Sequence, residues 1–222
     1  LEQIGACLGT VLNMTHLALH ASRYINGVAM RHGEVSRTMF PQYPIRAITN
    51  GVHAVTWTSA PFQRLYDRHI PEWRTDNLYL RYAIGISIEE IRQAHIEAKK
   101  MLMEEVLKRT GQELKEDVMT IGCARRAATY KRADLIFRSP DRLKWIARNV
   151  GGFQIIFGGK AHPQDQGGKD LIRRIIEHAR AVEDVIKVVY LEDFDWRWAP
   201  LLYSGVDLWL NTPKRPQEAS GT

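Results

Sequence analysis

Cysteine is scarce: only Cys7 and Cys123 occur, far apart and outside any metal-ligand spacing. That excludes a disulfide-stapled scaffold and leads us to expect a reduced, cytosolic protein. No run of eighteen apolar residues exists, so neither a spanning helix nor a membrane partner is expected. The N-terminal residues lack a charged region followed by an apolar one, and no secretory signal is expected. Several chemical signatures are missing too: there is no Gly-x-Gly-x-x-Gly, no Walker loop and no Gly-x-Ser-x-Gly elbow. Internal repeats and low-complexity segments are likewise absent. What remains is 45% apolar and 25% charged residues over 222 positions. This ordinary composition serves one or two domains with true cores and excludes disorder and collagen.

The charge is unevenly placed. Residues 125–148 hold eight Lys/Arg (Arg125, Arg126, Lys131, Arg132, Arg138, Arg142, Lys144, Arg148) against Asp134 and Asp141, and that excess equals the whole-chain net charge of +6. It forms no basic tail and belongs to no nucleic-acid module. A localised cationic loop suits a phosphate-bearing small molecule, and no nucleic-acid partner is expected.

Both ends read as interior to a longer chain. The first residues sit within an apolar, helix-like stretch, Ile4 to Leu19, without a cap before it. The last, Gln217 to Thr222, read as a loop entering a helix. Arg31 to Phe62 shows Pro41, Pro44, Pro61, Gly33 and Gly51 with no sustained period, which predicts an irregular connector. Arg64 to Tyr82 is aromatic-rich and carries no clear period. Ser87-Ile88-Glu89-Glu90 has capping-box spacing and opens a helix with the stripe Ile88, Ile91, Ala94, Ala98, Leu102 and Val106, stopped at Gly111.

Beyond it the rhythm changes. Strands are predicted at Val118–Ala124, Phe153–Phe157, Val185–Leu191 and Val206–Leu210. Helices are predicted at Asp134–Asn149, Lys169–Val182 and Trp198–Ser204. Alternation of near-continuous apolar strands with helices predicts an α/β fold with a doubly wound parallel sheet covered on both faces. Ligands gather at the carboxyl ends of such strands. Those ends run into Arg125-Arg126, into Gly158-Gly159-Lys160, into Glu192-Asp193 and into the segment ending at Glu218.

Arg125-Arg126 through Lys131-Arg132 places four cations in eight residues, which repel one another unless an anion lies between them. The competing reading, a solvated basic turn, carries equal weight on spacing alone. Gly158-Gly159-Lys160 offers backbone N–H groups to a phosphate, although a tight turn is the commoner use of such a sequence. Glu218-Ala219-Ser220-Gly221-Thr222 sets a carboxylate, a hydroxyl and a glycine at a helix start, for sugar hydroxyls, for an anion or for an ordinary cap. His16 and His20 have i, i+4 spacing without a third ligand and read as structural, so no metal is expected. His53, beside Asn50, is a candidate for a polar substrate contact.

Taken together and in order, these motifs resemble the α-glucan phosphorylases, the glycogen, starch and maltodextrin phosphorylase family. The matching segments are Asn13-Met14-Thr15-His16-Leu17, Asn26-Gly27-Val28-Ala29, Thr49-Asn50-Gly51 with Trp57, and Arg125-Arg126 to Tyr130-Lys131-Arg132. They continue through Gly158-Gly159-Lys160-Ala161, Tyr190-Leu191-Glu192 and Glu218 to Thr222. The forms Arg31-His32-Gly33-Glu34 and Asn50-Gly51-Val52-His53-Ala54 resemble the shorter bacterial and archaeal branch. The resemblance implies a two-domain, GT-B-like glucosyltransferase architecture with a cleft between domains. It also implies phosphorolysis of an α-1,4-glucan or maltooligosaccharide by inorganic phosphate, giving glucose 1-phosphate with retained configuration, and pyridoxal phosphate as cofactor. On the same basis Arg126 and Lys131 bind the substrate phosphate, and Arg125 neighbours the cofactor phosphate. Asn50, Glu218, Ser220 and Gly221 contact the glucosyl unit, while Trp57, Gly221 and Thr222 line the cofactor.

The chain departs from the family pattern in places. The cofactor-linking lysine falls beyond Thr222, Arg23 stands where animal enzymes have His, and Phe194 and Asp195 replace a common Tyr-Arg pair. The expected organisation is a strip of the N-terminal domain (1–46), a connector with a helical segment (47–117) and the first part of a Rossmann-like domain (118–222). The chain by itself is expected to be inactive, and homo-oligomerisation stays open. Two other readings stand beside this one: a nucleotide-sugar-dependent glucan synthase, and a non-catalytic glucan-binding module.

Overall fold

A computed structural model describes residues 7–8, 11–214 and 217. The chain divides into two compact units, one built on Leu1–Val52 and the other on His53–Ala219.

In the first unit β1 (Cys7–Leu8) pairs antiparallel with β2 (Val11–Leu12), and α1 (Met14–Ala21) follows. The Asn13 side chain caps α1, accepting from the amides of Thr15 at 3.0 Å and His16 at 3.2 Å. This corrects the expected single helical stretch from Ile4 to Leu19. β-branched Val11, paired in β2, and the capping Asn13 set the start of α1 at Met14. Next, β3 (Ile25–Gly27), α2 (Met30–Met39) and β4 (Ile45–Ala47) form a parallel β-α-β unit, with Ile25 opposite Ile45 and Gly27 opposite Ala47. α2 replaces part of the irregular connector expected over Arg31–Phe62. Its packing rests on missing side chains rather than an apolar stripe. A Cβ on Gly33 would meet the Ala47 Cβ at 2.9 Å, and one on Gly27 would meet the Gly33 nitrogen at 2.6 Å. Hydrophobic periodicity carries no trace of such a contact.

The second unit opens with α3 (Ala54–Trp57), α4 (Ala60–His69) and 3-10 segments at Pro71–Arg74 and Asn77–Gly85. These enclose Trp73, Leu65, Ile70 and Ile86, which resolves the aromatic-rich stretch. α5 (Ile88–Thr110) starts at the expected box, where the Ser87 hydroxyl accepts from the Glu90 amide at 3.3 Å, and it ends at left-handed Gly111. Ala94, Ala98, Leu102 and Val106 of its stripe are buried, whereas Ile88 is exposed.

β5 (Met119–Ala124) leads into 3-10 turns at Thr129–Lys131 and Ala133–Arg138, then α6 (Pro140–Asn149). The helix expected from Asp134 to Asn149 is therefore broken at Ser139-Pro140, where proline sits in the first turn and has no N–H to extend the earlier one. β6 (Phe153–Gly158), α7 (Gln166–Val182), β7 (Val188–Leu191), α8 (Trp198–Gly205) and β8 (Leu208–Trp209) complete the unit. The four strands lie in the order β7-β6-β5-β8, all parallel, as the sequence leads one to expect.

Side chains alternate between two cores, following the two-residue period of a strand. Ile121, Cys123, Phe153, Ile155 and Phe157 pack with Leu143 of α6 and with Leu171 and Ile175 of α7. On the other face Ala124, Ile156, Val189 and Leu191 pack with Leu102 and Val106 of α5 and with Trp198 and Leu202 of α8. The order reverses between β5 and β8. Such a reversal opens a crevice at the strand ends.

Candidate active site

The loop leaving β5 borders that crevice and stays zipped to its neighbour. The Arg125 amide donates to the Gly158 carbonyl at 3.1 Å, and the Ala127 amide to the Lys160 carbonyl at 2.9 Å. The Tyr190 hydroxyl donates to the Gly159 carbonyl at 3.0 Å. Gly159 has φ +143°, and a Cβ there would lie 2.0 Å from the Arg125 carbonyl oxygen, so no other residue fits. The Gly158-Gly159-Lys160 turn thus serves first to hold the Arg125 loop close. Lys160 in turn pairs with Asp193 at 3.3 Å.

Arg125 is half-buried, and its Nε and Nη1 atoms are fully enclosed with no hydrogen-bond partner among the described residues. Native structures seldom leave buried charged donors in that condition, because the lost hydration is not returned. Its charge acts on its surroundings. Burial pushes the Cys123 thiol up to about 11, and the Arg125 guanidinium pulls the other way. Burial also raises the Tyr203 phenol, again opposed by Arg125. Tyr203 in turn touches Trp209, with ring centroids 4.4 Å apart, and meets Trp57 edge-on at 6.1 Å. Trp57 is exposed on a groove of about 540 Å³ that Phe62, Tyr66 and Tyr203 also line.

Lys131 is only 5% exposed, and its Nζ lies 5.0 Å from the centroid of the Tyr130 ring. Arg126 is exposed on the same loop. Arg132, the fourth cation, turns away. Its Nε donates to the Thr212 carbonyl at 2.9 Å and its Nη2 to the Pro213 carbonyl at 3.0 Å.

Arg125, Arg126 and Lys131 are therefore brought together at one strand exit, with Trp57 in the same unit. Asn50 belongs to the first unit. It is exposed just past β4, and its amide donates to the Val28 carbonyl at 3.1 Å, prolonging the parallel pairing. Glu218, Ser220, Gly221 and Thr222 lie outside the described residues. His53 Nδ1 shares a hydrogen bond with the Thr56 hydroxyl at 2.7 Å. Phe194 packs on the strand exit, its Cδ2 lying 2.7 Å from where a Gly158 Cβ would be. Sequence reasoning missed Tyr203 and the separate duty of Arg132. Nothing in spacing marks either one: Arg132 acts through carbonyls some eighty residues away, and Tyr203 meets Trp57 only through the fold. Among the described residues no group of three His, Cys, Asp or Glu could hold a metal ion. No helix among them is long and apolar enough to cross a membrane.

A doubly wound sheet whose switch point carries enclosed guanidinium donors, without a partner among the described residues, has the chemistry to receive an anion such as a phosphate group. Comparison with known proteins narrows that class. A model of the carbohydrate phosphorylase family matches residues 4–222, and the chain belongs to that family. It is 38% identical to a maltodextrin phosphorylase of Thermococcus litoralis, over 96% of this chain and 29% of that protein. It is also 38% identical to a glycogen phosphorylase of Aquifex aeolicus, over 95% of this chain and 34% of that protein. A glycogen phosphorylase of Mycobacterium tuberculosis shares 35% identity, over 95% of this chain and 28% of that protein. The chain thus spans about a third of the length of these relatives.

Proposed function

We propose that this chain is part of an α-glucan phosphorylase, a glucosyltransferase that cleaves α-1,4-glucans with inorganic phosphate to give glucose 1-phosphate. The activity is assigned to the complete protein, working in the cytoplasm on glycogen or maltooligosaccharides. One observation carries the reading: the enclosed Nε and Nη1 of Arg125, charged and unpaired among the described residues. Those donors suit a phosphate, whose oxygens accept charge-assisted hydrogen bonds from guanidinium N–H groups.

In this reading Arg125 holds the phosphate of pyridoxal phosphate, and Trp57, with Gly221 and Thr222, lines the cofactor. When bound, pyridoxal phosphate supplies a second phosphate that exchanges a proton with the substrate phosphate. Arg126 and Lys131 bind and orient that substrate phosphate. Two phosphates side by side repel strongly, and the cations of this loop offset the repulsion. Burial of Lys131 makes its charge count for more, since less water screens it. Asn50, Glu218, Ser220 and Gly221 supply donors and acceptors to the glucosyl hydroxyls. Residues 1–46 belong to the N-terminal domain, 47–117 connect, and 118–222 begin the C-terminal domain.

The test is glucose 1-phosphate release from maltooligosaccharide by the complete, cofactor-loaded protein, with and without phosphate, beside Arg126→Ala. We expect phosphate-dependent release that falls by about two to three orders of magnitude in the variant. Transfer from a nucleotide sugar would instead identify a glucan synthase. Glucan binding with no turnover would identify a binding module.

A further inference from the structure

The cation that the sequence groups with the anion binders, Arg132, does something else. We propose that Arg132 is a positioning residue: by clasping the loop after β8 it holds Lys131 in place at the switch point. This rests on the reading of Lys131 as a substrate-phosphate ligand.

The clasp works in both directions. The guanidinium donates through Nε and Nη2 to the consecutive carbonyls of Thr212 and Pro213, at 2.9 and 3.0 Å. The Thr212 hydroxyl reaches back to the carbonyls of Lys131, at 3.2 Å, and Arg132, at 2.9 Å. The Lys214 amide donates to the Tyr130 carbonyl at 2.9 Å. Residues 130, 131 and 132 are thus each tied to the far loop, with Lys131 in the middle.

Two further observations show why the tie is needed. Arg132 has φ 49° and ψ 45°, a left-handed conformation that a non-glycine residue keeps only when its surroundings hold it there. It joins the turn Thr129–Lys131 to the turn Ala133–Arg138, so its torsions set where Lys131 lies. In addition β8 pairs with β5 at only two positions, Ile121 with Leu208 and Gly122 with Trp209. One backbone bond prolongs this ladder at each end, from the Asp207 amide to the Thr120 carbonyl at 2.9 Å and from the Leu210 amide to the Gly122 carbonyl at 2.8 Å, and past Leu210 the loop is held by the clasp. Arginine suits the task because its planar fork matches two adjacent carbonyls, whereas a lysine ammonium is a single point. With its Nε and Nη2 committed to carbonyls, Arg132 helps bind the anion by placing Lys131.

The experiment uses the complete, cofactor-loaded protein and steady-state kinetics in which inorganic phosphate and maltooligosaccharide are varied separately. The variants are Arg132→Ala, Arg132→Gly and Thr212→Val. Glycine adopts the left-handed conformation freely, so Arg132→Gly separates the guanidinium from the backbone. We expect the phosphate KM to rise about ten- to a hundredfold in the Arg132 variants, as displacement of a binding group by an ångström does. Thr212→Val should move it in the same direction, and the maltooligosaccharide KM should change by less than about threefold. Added guanidinium ion should restore phosphate affinity to Arg132→Ala, which no general loss of structure permits. Unchanged phosphate KM in Arg132→Gly and Thr212→Val would overturn the proposal, as would parallel rises in both KM values without rescue by guanidinium. If the unsubstituted protein shows no phosphate-dependent turnover, the phosphorylase reading fails. The clasp is then judged by calorimetric titration with inorganic phosphate: weaker binding by Arg132→Ala, restored by guanidinium, supports it, and equal binding overturns it.

Discussion

The short ladder between β5 and β8 has a second anchor at its opposite end, and replacing Asp207 by alanine tests it. The Asp207 carboxylate accepts from Lys99 Nζ at 2.7 Å, from the Thr120 amide at 2.7 Å and pairs with His95 Nε2 at 2.8 Å. The Asp207 amide donates to the Thr120 carbonyl at 2.9 Å, so the side chain and the backbone together extend the pairing. The Lys99 side chain is only 8% exposed, and its other partner is the Val118 carbonyl at 2.8 Å. Asp207→Ala leaves that ammonium buried without a counter-charge, a change that costs about 3–5 kcal/mol. Lys99→Met, which removes hydrogen bonds to a charged group, should cost roughly 1.5–3 kcal/mol. The double variant should cost about 2–3 kcal/mol less than the sum, because no charge is then stranded.

Urea denaturation followed by far-ultraviolet circular dichroism measures all four corners of that cycle. A coupling under about 0.5 kcal/mol would refute the reasoning, since it would mean that Lys99 is satisfied without Asp207. The pH dependence gives a second check. Burial raises the Asp207 carboxyl, but its bonds to Lys99, His95 and the Thr120 amide outweigh that effect and hold it below its ordinary value. The folded state therefore binds its proton less readily than the unfolded state. The contribution is complete above the ordinary aspartate value near 3.9 and is lost as pH falls below it. The coupling energy should shrink in the same direction.

Gly159→Ala should be severe for its size. The left-handed torsion alone costs about 1–3 kcal/mol, and the new Cβ must also push away the Arg125 carbonyl, 2.0 Å distant. A thermal midpoint equal to that of the unsubstituted protein would show that the loop yields freely. Asp67 provides a marker further into acid. Bonds from Arg74 and from the Trp73 indole lower its pKa to about 2. Its stabilisation is present above the ordinary aspartate value and is lost as pH falls towards about 2. The midpoint difference between Asp67→Asn and the unsubstituted protein should therefore be present at neutral pH and close on acidification. A difference independent of pH would contradict that assignment.

Much of the second unit was legible in advance because its signals are local. The near-continuous apolar strands at Met119–Ala124 and Phe153–Gly158 announce a sheet covered on both faces, and Ser87 and Gly111 bracket α5 by their own chemistry. The first unit was less legible. α2 rests on the strands through Gly27 and Gly33, where contact depends on atoms that are absent, and no hydrophobic period records it. The helix read across Ser139-Pro140 shows the converse. There the apolar spacing was sound, but proline imposed a boundary that spacing ignores.

The order of motifs along the chain, the alternation of strand and helix, and the clustering of cations after β5 are properties of the sequence by itself. From them came the family, the parallel sheet and the rim on which Arg125, Arg126 and Lys131 stand. Which cation does what was decided only in three dimensions. Four neighbouring positive charges look alike in sequence, because charge and spacing say nothing of what each side chain meets. Folding brings the carbonyls of Thr212 and Pro213 to Arg132, lays the Tyr130 ring beside Lys131, and encloses the Nε and Nη1 of Arg125 with no hydrogen-bond partner among the described residues. The difference among them is the cost of losing water. Arg132 recovers it from backbone oxygens within the fold, whereas the Nε and Nη1 of Arg125 do not recover it from any described residue.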